Sequence, residues 1–255
     1  MGQATAPATQ ELHAGARSFQ EGNFQEAQQH FEKARKLDPN YKHTQLLVGW
    51  ALHHQFQPGD QSPTNFSLAR KAIAAYRDCL FIDPTSEIAF NSVAVLYGFL
   101  KEDELQRRWL TDQAKRESAP KKQRAECFIV LASKAWSCSF SQPEKNAVTK
   151  QCVADGLDLI ERALALEPDN SQAWLYKGEL LAEMAKAANS VEKTQYQKLA
   201  AAAKHNSRDL KNPTQESEPT ERIITGDEQL DEILKNTFSL IYLAVPVPLS
   251  SEPVP

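Results

Sequence analysis

The sequence has few of the features that mark membrane proteins or nucleic-acid-binding proteins. Its 255 residues include only nine glycines, and β-branched runs are scarce, which favours an all-helical chain. No apolar run approaches the ~20 residues that are needed to span a bilayer. The formal net charge of −4 provides no basic field for nucleic acid or an anionic membrane.

Motifs for catalysis and cofactor binding are also missing. The sequence contains no P-loop, no glycine-rich dinucleotide turn, no G-x-S-x-G element and no zinc-spaced cysteine pair. A helix would point the adjacent His53 and His54 about 100° apart and place His43 roughly 16 Å from His54, too far to share a metal ion. We therefore predict that the chain is not an enzyme and binds neither a cofactor nor a metal.

The four cysteines divide into two kinds. Cys79 occupies a small packing position of a helix, and Cys127 lies beside Phe128 at a helix start, so we expect both to be buried thiols. Cys138 and Cys152 bracket a polar insertion and close a loop of about 15 residues, which a disulfide would stabilise by ~3 kcal/mol. The sequence leaves open whether these two are bonded or free, and a bond would require an oxidising compartment.

One spacing of residues occurs three times along the chain. Each copy places a small, a large, a small and an aliphatic residue at i, i+4, i+7 and i+10, followed by proline at i+12. Such a copy predicts a helix with one apolar stripe, and proline ends it because it lacks an N–H and clashes with the preceding turn. The copies are Ala27, Phe31, Ala34, Leu37 and Pro39; Ala72, Tyr76, Cys79, Ile82 and Pro84; and Gly156, Ile160, Ala163, Leu166 and Pro168.

The segments after each proline recur as well. Ten residues on, a small residue lies inside a second apolar helix, at Gly49, Ala94 and Gly178. This order of helix, turn, helix and proline resembles the tetratricopeptide repeat (TPR), W-x2-L-G-x2-Y…A-x3-F…P. The resemblance covers roughly residues 8–205. Among TPR proteins, the chain resembles bacterial ones that have long insertions inside repeats.

The resemblance implies an all-α, right-handed α-solenoid, a TPR superhelix of about five helix-turn-helix repeats, whose stacked neighbours supply the core that one repeat cannot form alone. We expect a disordered segment at 1–10, a linker at 207–225 and an apolar, Pro-rich tail at 226–255. The TPR domain covers 11–206, with repeats at approximately 9–40, 41–84, 85–120, 121–170 and 171–206.

Two insertions separate predicted helices within repeats. The first, HHQFQPGDQSPTNFS, precedes a helix at Ser67–Phe81, and its prolines and glycine predict a surface loop. The second, SCSFSQPEKNAVTK, lies between predicted helices Lys122–Ser137 and Gln151–Glu167. In the degenerate third repeat we expect Leu105, Trp109 and Ala114 to share the packed face. The last repeat is predicted to pair Ser171–Ala187 with Val191–His205.

The resemblance also implies a function. Proteins of this kind are non-catalytic scaffolds, so we expect a peptide segment or helix of a partner protein to bind in the concave groove. The alternative for Trp50 and Trp136 is that they only pack against the inserted loops. The repeat register places the following residues in the groove: His43, Leu46, Trp50, His54, Asn91, Val95, Phe99, Ile129, Ser133, Trp136, Tyr176, Glu179 and Glu183.

The C-terminal tail provides a second functional hypothesis. Asp227–Lys235 predicts a short helix, and Thr237–Val247, TFSLIYLAVPV, is apolar and β-prone, so a free tail would be an aggregation hazard and needs cover. The alternative function is a structural or self-assembling protein whose tail docks on its own or a neighbouring copy's solenoid, forming a homo-oligomer. In either case the expected partner is protein, with no nucleic acid and no transmembrane segment.

The start of the sequence leaves the compartment open. MGQATAPATQ has neither the charged region nor the apolar core of a signal peptide. We expect an exported, periplasmic chain whose signal peptide is absent from this sequence, with a cytoplasmic chain as the alternative.

Overall fold

The computed structural model describes residues 4–141, 147–210, 227, 230 and 231. Within these ranges the chain forms ten α-helices and no strand, so the prediction of an all-α fold is confirmed. None of these helices is long and apolar enough to cross a bilayer. The helices are α1 (Ala6–Gln20), α2 (Phe24–Leu37), α3 (Lys42–Gln55), α4 (Pro63–Ile82), α5 (Glu87–Phe99), α6 (Asp103–Lys115), α7 (Lys121–Ser141), α8 (Ala147–Leu166), α9 (Ser171–Ala187) and α10 (Ser190–Leu210).

The chain divides into two compact units, one within Met1–Asp103 and Ser217–Pro255 and the other within Glu104–Glu216. In the first unit, each helix from α1 to α5 packs on the next one. In the second, α7 to α10 pack in the same sequential way, and α7 also contacts α9. Packing of each helix on the next, with α9 also contacting α7, is what stacked helix pairs produce, so the described helices of each unit form an all-α stack of the kind found in repeat solenoids.

The repeated apolar stripe forms the cores of these stacks. The small and large residues of its first three positions are buried in all three copies, as in Phe31, Tyr76 and Ile160. The aliphatic fourth position differs, because Leu37 is 50% exposed and Ile82 is 40% exposed. Both lie in the last helical turn, directly before the aspartate at which the helix ends. In the third copy the fourth residue, Leu166, is half-buried and packs against the core. The stripe therefore packs over three positions in the first two copies and over four in the third.

The first insertion is shorter than predicted because helices occupy most of it. Helix α3 continues to Gln55 and α4 begins at Pro63, not at Ser67, which leaves residues 56–62 as the connection. Ser62 caps α4 by accepting a hydrogen bond from the Asn65 N–H at 3.2 Å. Proline suits the first helical position because its missing N–H needs no partner there. The sequence prediction read Pro63 as part of a loop and missed its role as a helix start.

The second insertion is also largely helical. Helix α7 extends to Ser141 and α8 begins at Ala147, while residues 142–146 lie outside the described ranges. Two serines of the predicted insertion form hydrogen bonds to backbone carbonyl oxygens within α7. Ser137 Oγ donates to Ser133 O at 3.0 Å, and Ser139 Oγ donates to Trp136 O at 2.6 Å. Such bonds let serine sit inside a helix instead of ending it.

The buried face of α6 agrees with the prediction only at Ala114. Leu105 is 46% exposed and Trp109 is half-buried, whereas Gln106, Leu110, Gln113 and Ala114 are buried. Two of the buried residues, seven positions apart, are glutamines. Because they are polar, apolar periodicity does not indicate the buried face of this helix. The C-terminal end of α6 is tied to α7, because Arg124 Nε donates to Ala114 O at 3.0 Å.

The last helix pair is close to the prediction. Helix α9 has the predicted bounds, and α10 runs from Ser190 to Leu210, five residues past the predicted end. Ser207 is buried and its Oγ donates to Ser171 O at 2.7 Å. This bond holds the additional turns of α10 against the start of α9.

Candidate partner-binding surfaces

In the first unit, an aromatic cluster lies where α1, α2 and α3 meet. The ring of Trp50 packs 4.8 Å from that of Phe19, and the His54 ring contacts Phe19, Phe24 and Trp50 at 4.8, 5.1 and 5.8 Å. Trp50 is only 1% exposed, while His54 is half-buried. Trp50 therefore packs among helix residues rather than against an inserted loop, and the His54 imidazole forms the accessible edge of the cluster.

The two histidines at the end of α3 sit in an environment that disfavours charge. Burial and, to a smaller extent, the neighbouring His54 together lower the pKa of His53 to about 4. Burial also lowers the pKa of His54, while a hydrogen bond from its Nδ1 to Trp50 O, at 3.1 Å, opposes the shift. His53 Nδ1 lies 3.3 Å from Tyr76 Oη. Both side chains are therefore neutral near pH 7 and act as aromatic, hydrogen-bonding groups.

The connection between α3 and α4 is fixed by one buried amide. Asn65 Nδ2 donates to the carbonyl oxygens of Gln57 and Asp60 at 2.8 and 2.7 Å, and its Oδ1 accepts from the Gln57 N–H at 2.8 Å. The loop begins with Phe56, which is buried and packs 5.8 Å from the ring of Phe99 on α5. An ordered loop therefore supports one end of α5.

Helix α5 carries a stripe of partly accessible residues along one side. Asn91, Val95 and Phe99 follow each other at intervals of four, so they share one side of the helix, and each is half-buried. Ile88, Ser92 and Leu96 beside them are buried. The stripe thus borders the core and presents an amide, an aliphatic group and an aromatic ring to solvent.

In the second unit, the equivalent surface lies on α7 and α9. The ring of Trp136 contacts that of Tyr176 edge-on at 6.0 Å, and Tyr176 also hydrogen-bonds to the side chain of Ser133. Burial raises the pKa of Tyr176, which keeps the phenol neutral. Tyr176 is buried, whereas Ser133 and Trp136 remain half-buried. The two helices therefore present an indole ring and a hydroxyl group over a closed core.

Two carboxylates of α9 complete this region of the second unit. Glu179 pairs with Lys204 of α10 at 2.9 Å, and Glu183 pairs with Lys186 one turn further along α9. Because each carboxylate already has a lysine partner, the surface has balanced charge. It is therefore suited to an apolar or amphipathic segment more than to a strongly charged one.

A match to a known repeat family supports this arrangement of helix pairs. Residues 13–41 match the sequence model described as "Tetratricopeptide repeat", and they cover most of α1 with all of α2. The buried stripe of α2 recurs with the same spacing in α4 and α8.

The chain contains a tetratricopeptide repeat at residues 13–41.

Comparisons with other proteins add alignments at low identity. A crystal structure of MamA protein aligns at 15% identity, covering 83% of this chain and 98% of that chain, with a TM-score of 0.43. A second crystal structure of MamA aligns at 17% identity, covering 76% and 96%, with a TM-score of 0.38. A comparison with curated protein sequences finds no match.

The TPR register placed thirteen residues in the groove, and the structure separates them by accessibility. Five of them are buried because neighbouring side chains cover them. Ile129 and Tyr176, for example, belong to one core cluster with Val153. The position of a residue within a repeat does not show such cover. These five are His43, Leu46, Trp50, Ile129 and Tyr176. The eight that keep accessible surface are His54, Asn91, Val95, Phe99, Ser133, Trp136, Glu179 and Glu183.

Cys138 and Cys152 are joined by a disulfide, with Cα atoms 6.1 Å apart, so the bond links the end of α7 to the start of α8. Cys79 and Cys127 lie outside the disulfide and are buried. Burial raises the pKa of the Cys127 thiol to about 12, so this thiol is unreactive at neutral pH.

Sequence reasoning missed one contact between distant parts of the chain. His13 Nε2 of α1 lies 2.7 Å from Asp227 Oδ2, across 214 residues of sequence. The predicted helix at Asp227–Lys235 is described only in part, and Thr237–Val247 lies outside the described residues. Within the described ranges, no three His, Cys, Asp or Glu side chains are grouped closely enough to hold a metal ion.

Proposed function

We propose that this chain is a non-catalytic scaffold that binds a segment of a partner protein. The segment would bind along accessible residues of α5 and α7, which are first helices of predicted repeats. Protein-interaction scaffolding is the general role of the repeat family that residues 13–41 match. The binding surfaces proposed for the two units are separate: Asn91, Val95 and Phe99 on α5, and Ser133 with Trp136 on α7.

One observation carries this proposal. On each helix, apolar side chains that border the core keep accessible surface, although the residues beside them are closed. Val95 and Phe99 in the first unit, and Trp136 in the second, are such side chains. A half-buried aromatic ring is held in place by its neighbours, so it loses little freedom when a partner covers the rest of it. A peptide segment or an amphipathic helix would supply that cover.

Charge substitutions on these surfaces test the proposal. We choose Val95→Glu on α5 and Ser133→Glu on α7, because both positions are half-buried and tolerate a side chain directed to solvent. Matched controls are Lys71→Glu on α4 and Arg162→Glu on α8, both at exposed positions of second helices. Each full-length variant is used to capture partners, and recovery is quantified by mass spectrometry after circular dichroism shows an unchanged helical content.

The expected result is a partner recovered by the wild-type chain and by both controls, with a loss of about tenfold or more for one of the test variants. Equal recovery by all variants would rule out both surfaces as the binding site. Recovery lost in only one test variant would assign the site to that unit.

A structural, self-assembling protein is the second candidate function. The contact between His13 and Asp227 favours it, because it shows that a C-terminal residue reaches the surface of a first helix. Light scattering on the full chain and on a chain lacking residues 226–255 separates the candidates. An oligomer that dissociates on deletion supports self-assembly, and a monomer with unchanged melting in both cases removes it.

A further inference from the structure

A helical turn near the C-terminus begins at the residue that contacts α1. Asp227 Oδ1 accepts from the Leu230 N–H at 3.1 Å, and Asp227 O accepts from the Asp231 N–H at 2.8 Å. The aspartate side chain therefore caps a turn whose next bond follows the i→i+4 pattern of an α-helix. With its other carboxylate oxygen it contacts His13 at 2.7 Å, so a single side chain both starts the turn and attaches it to α1.

Leu230, in the same turn, is a buried apolar residue. It is 1% exposed, and it belongs to the same compact unit as α1. Full burial of a leucine side chain stabilises a structure more than an isolated ion pair at a partly exposed position does. The turn thus combines a polar contact to α1, made by Asp227, with a buried leucine three residues later.

The charges of the two partners are complementary. The segment 227–232 reads DEQLDE and carries four acidic residues. The first turn of α1 contains no acidic residue, and Pro7 lies at its first positions. The N-terminal end of a helix carries a partial positive charge, and His13, two turns further on, supplies the ring nitrogen that contacts Asp227.

From these observations we infer that the surface of α1 around His13 is a docking site for a short acidic helical turn of the form Asp-x-x-Leu, and that the chain's own turn, which begins at Asp227, is its occupant through the contact of Asp227 with His13. An added peptide of the same sequence would compete with the chain's own turn for this site. The site uses other residues than those proposed on α5 and α7.

A fluorescent peptide of residues 225–236, TGDEQLDEILKN, tests the inference on the full chain. In a chain that carries both Asp227→Ala and Leu230→Ala, called the released chain, the turn lacks the two side chains named in the inference. The sequence of α1 is unchanged. We expect the peptide to bind the released chain with a Kd about tenfold or more below that for the wild-type chain, whose own segment competes. A peptide with the same two substitutions should not bind. Adding His13→Ala to the released chain should weaken binding, whereas Gln10→Ala, at an exposed position of the same helix, should not.

Equal affinity of the peptide for wild-type and released chains, or no binding to the released chain, would overturn the inference. Binding that survives His13→Ala would also overturn it. If the released chain fails to fold, hydrogen exchange on the otherwise intact chain provides the decision. His13→Gln should accelerate exchange of the Leu230 and Asp231 amides about tenfold, and unchanged exchange would contradict the docking site.

Discussion

The phenyl ring of Phe31 on α2 fills the space in which Gly15 of α1 would carry a side chain. A Cβ atom built on Gly15 would lie 2.6 Å from Phe31 Cε1, closer than carbon atoms approach in packed proteins. The second repeat shows the same relationship, because a Cβ on Gly49 would lie 2.8 Å from Tyr76 Cδ1. In both repeats, a glycine on the first helix accommodates the large residue of the stripe on the second helix.

Gly15→Ala should therefore destabilise the chain, although alanine favours a helix by about 1 kcal/mol over glycine. Inserting a methyl group against a packed ring costs about 1–3 kcal/mol, so we expect a net loss in the free energy of unfolding, measured by urea denaturation. Gly178→Ala is the comparison variant, because the nearest atoms there are Lys204 Cγ at 2.6 Å and the backbone oxygen of Ala200 at 3.2 Å rather than a packed ring, and we expect a smaller loss. A loss at Gly178 that equals the loss at Gly15 would contradict the ring-to-glycine packing.

The histidine pair at the end of α3 predicts a dependence of stability on pH. The pKa of His53 falls from 6.5 to about 4 on folding, and that of His54 is lowered as well. Between these values the unfolded chain binds more protons than the folded chain. The free energy of unfolding should therefore be highest above about pH 6.5 and decline as the pH falls towards 4, by at most ~1.4 kcal/mol per pH unit for each group.

Chemical denaturation at several pH values measures this slope, and His53→Gln should flatten it between pH 6.5 and 4. His205→Gln is the control, because His205 is exposed at the end of α10. A slope that is unchanged in the His53 variant would show that other groups cause the acid sensitivity.

The disulfide predicts a thiol count. The denatured chain should react with two equivalents of a thiol reagent, at Cys79 and Cys127, and with four after reduction. The paired substitution Cys138→Ser with Cys152→Ser should lower the free energy of unfolding by ~3 kcal/mol, because the bond closes a loop of about 15 residues. Four reactive thiols before reduction would show that the bond is not formed in the purified protein.

The first connection depends on the amide of Asn65. Asn65→Ala leaves two carbonyl oxygens and one backbone N–H without their partner, so we expect a loss of about 1–3 kcal/mol in the free energy of unfolding. Gln61→Ala, an exposed position in the same loop, should change it by less than ~0.5 kcal/mol. Equal melting temperatures for both variants would contradict the view that Asn65 orders the loop.

The helical part of the fold could be predicted from the sequence where the stripe is intact. The spacing of Ala27, Phe31 and Ala34 is sufficient to place a helix and its buried face, and α9 was predicted with its observed bounds. The helix ends within the insertions could not be predicted in the same way. A proline such as Pro63 can follow the end of a helix or begin one, and the hydrogen bond that caps α4 at Ser62 shows that it begins one here. In α6, buried Gln106 and Gln113 replace the apolar residues on which periodicity depends.

The candidate site was only partly predictable. The register assigns Val95 and Trp50 to the same kind of surface, because it depends on position within a repeat. Accessibility depends on which ring from another helix lies above each residue, and Phe19 covers Trp50 while Val95 stays half-buried. The contact between His13 and Asp227 joins residues outside any repeated pattern, so no spacing could predict it.

Site-specific photocrosslinking tests most directly whether the first helices hold the partner. A photoreactive amino acid is placed singly at Val95 and Ser133 on the proposed surfaces, and at Lys71 and Arg162 on second helices, each in the full chain. We predict crosslinks to the same partner protein from Val95, from Ser133 or from both, and none from Lys71 or Arg162. Crosslinks to a partner from the second-helix positions alone would contradict the proposal.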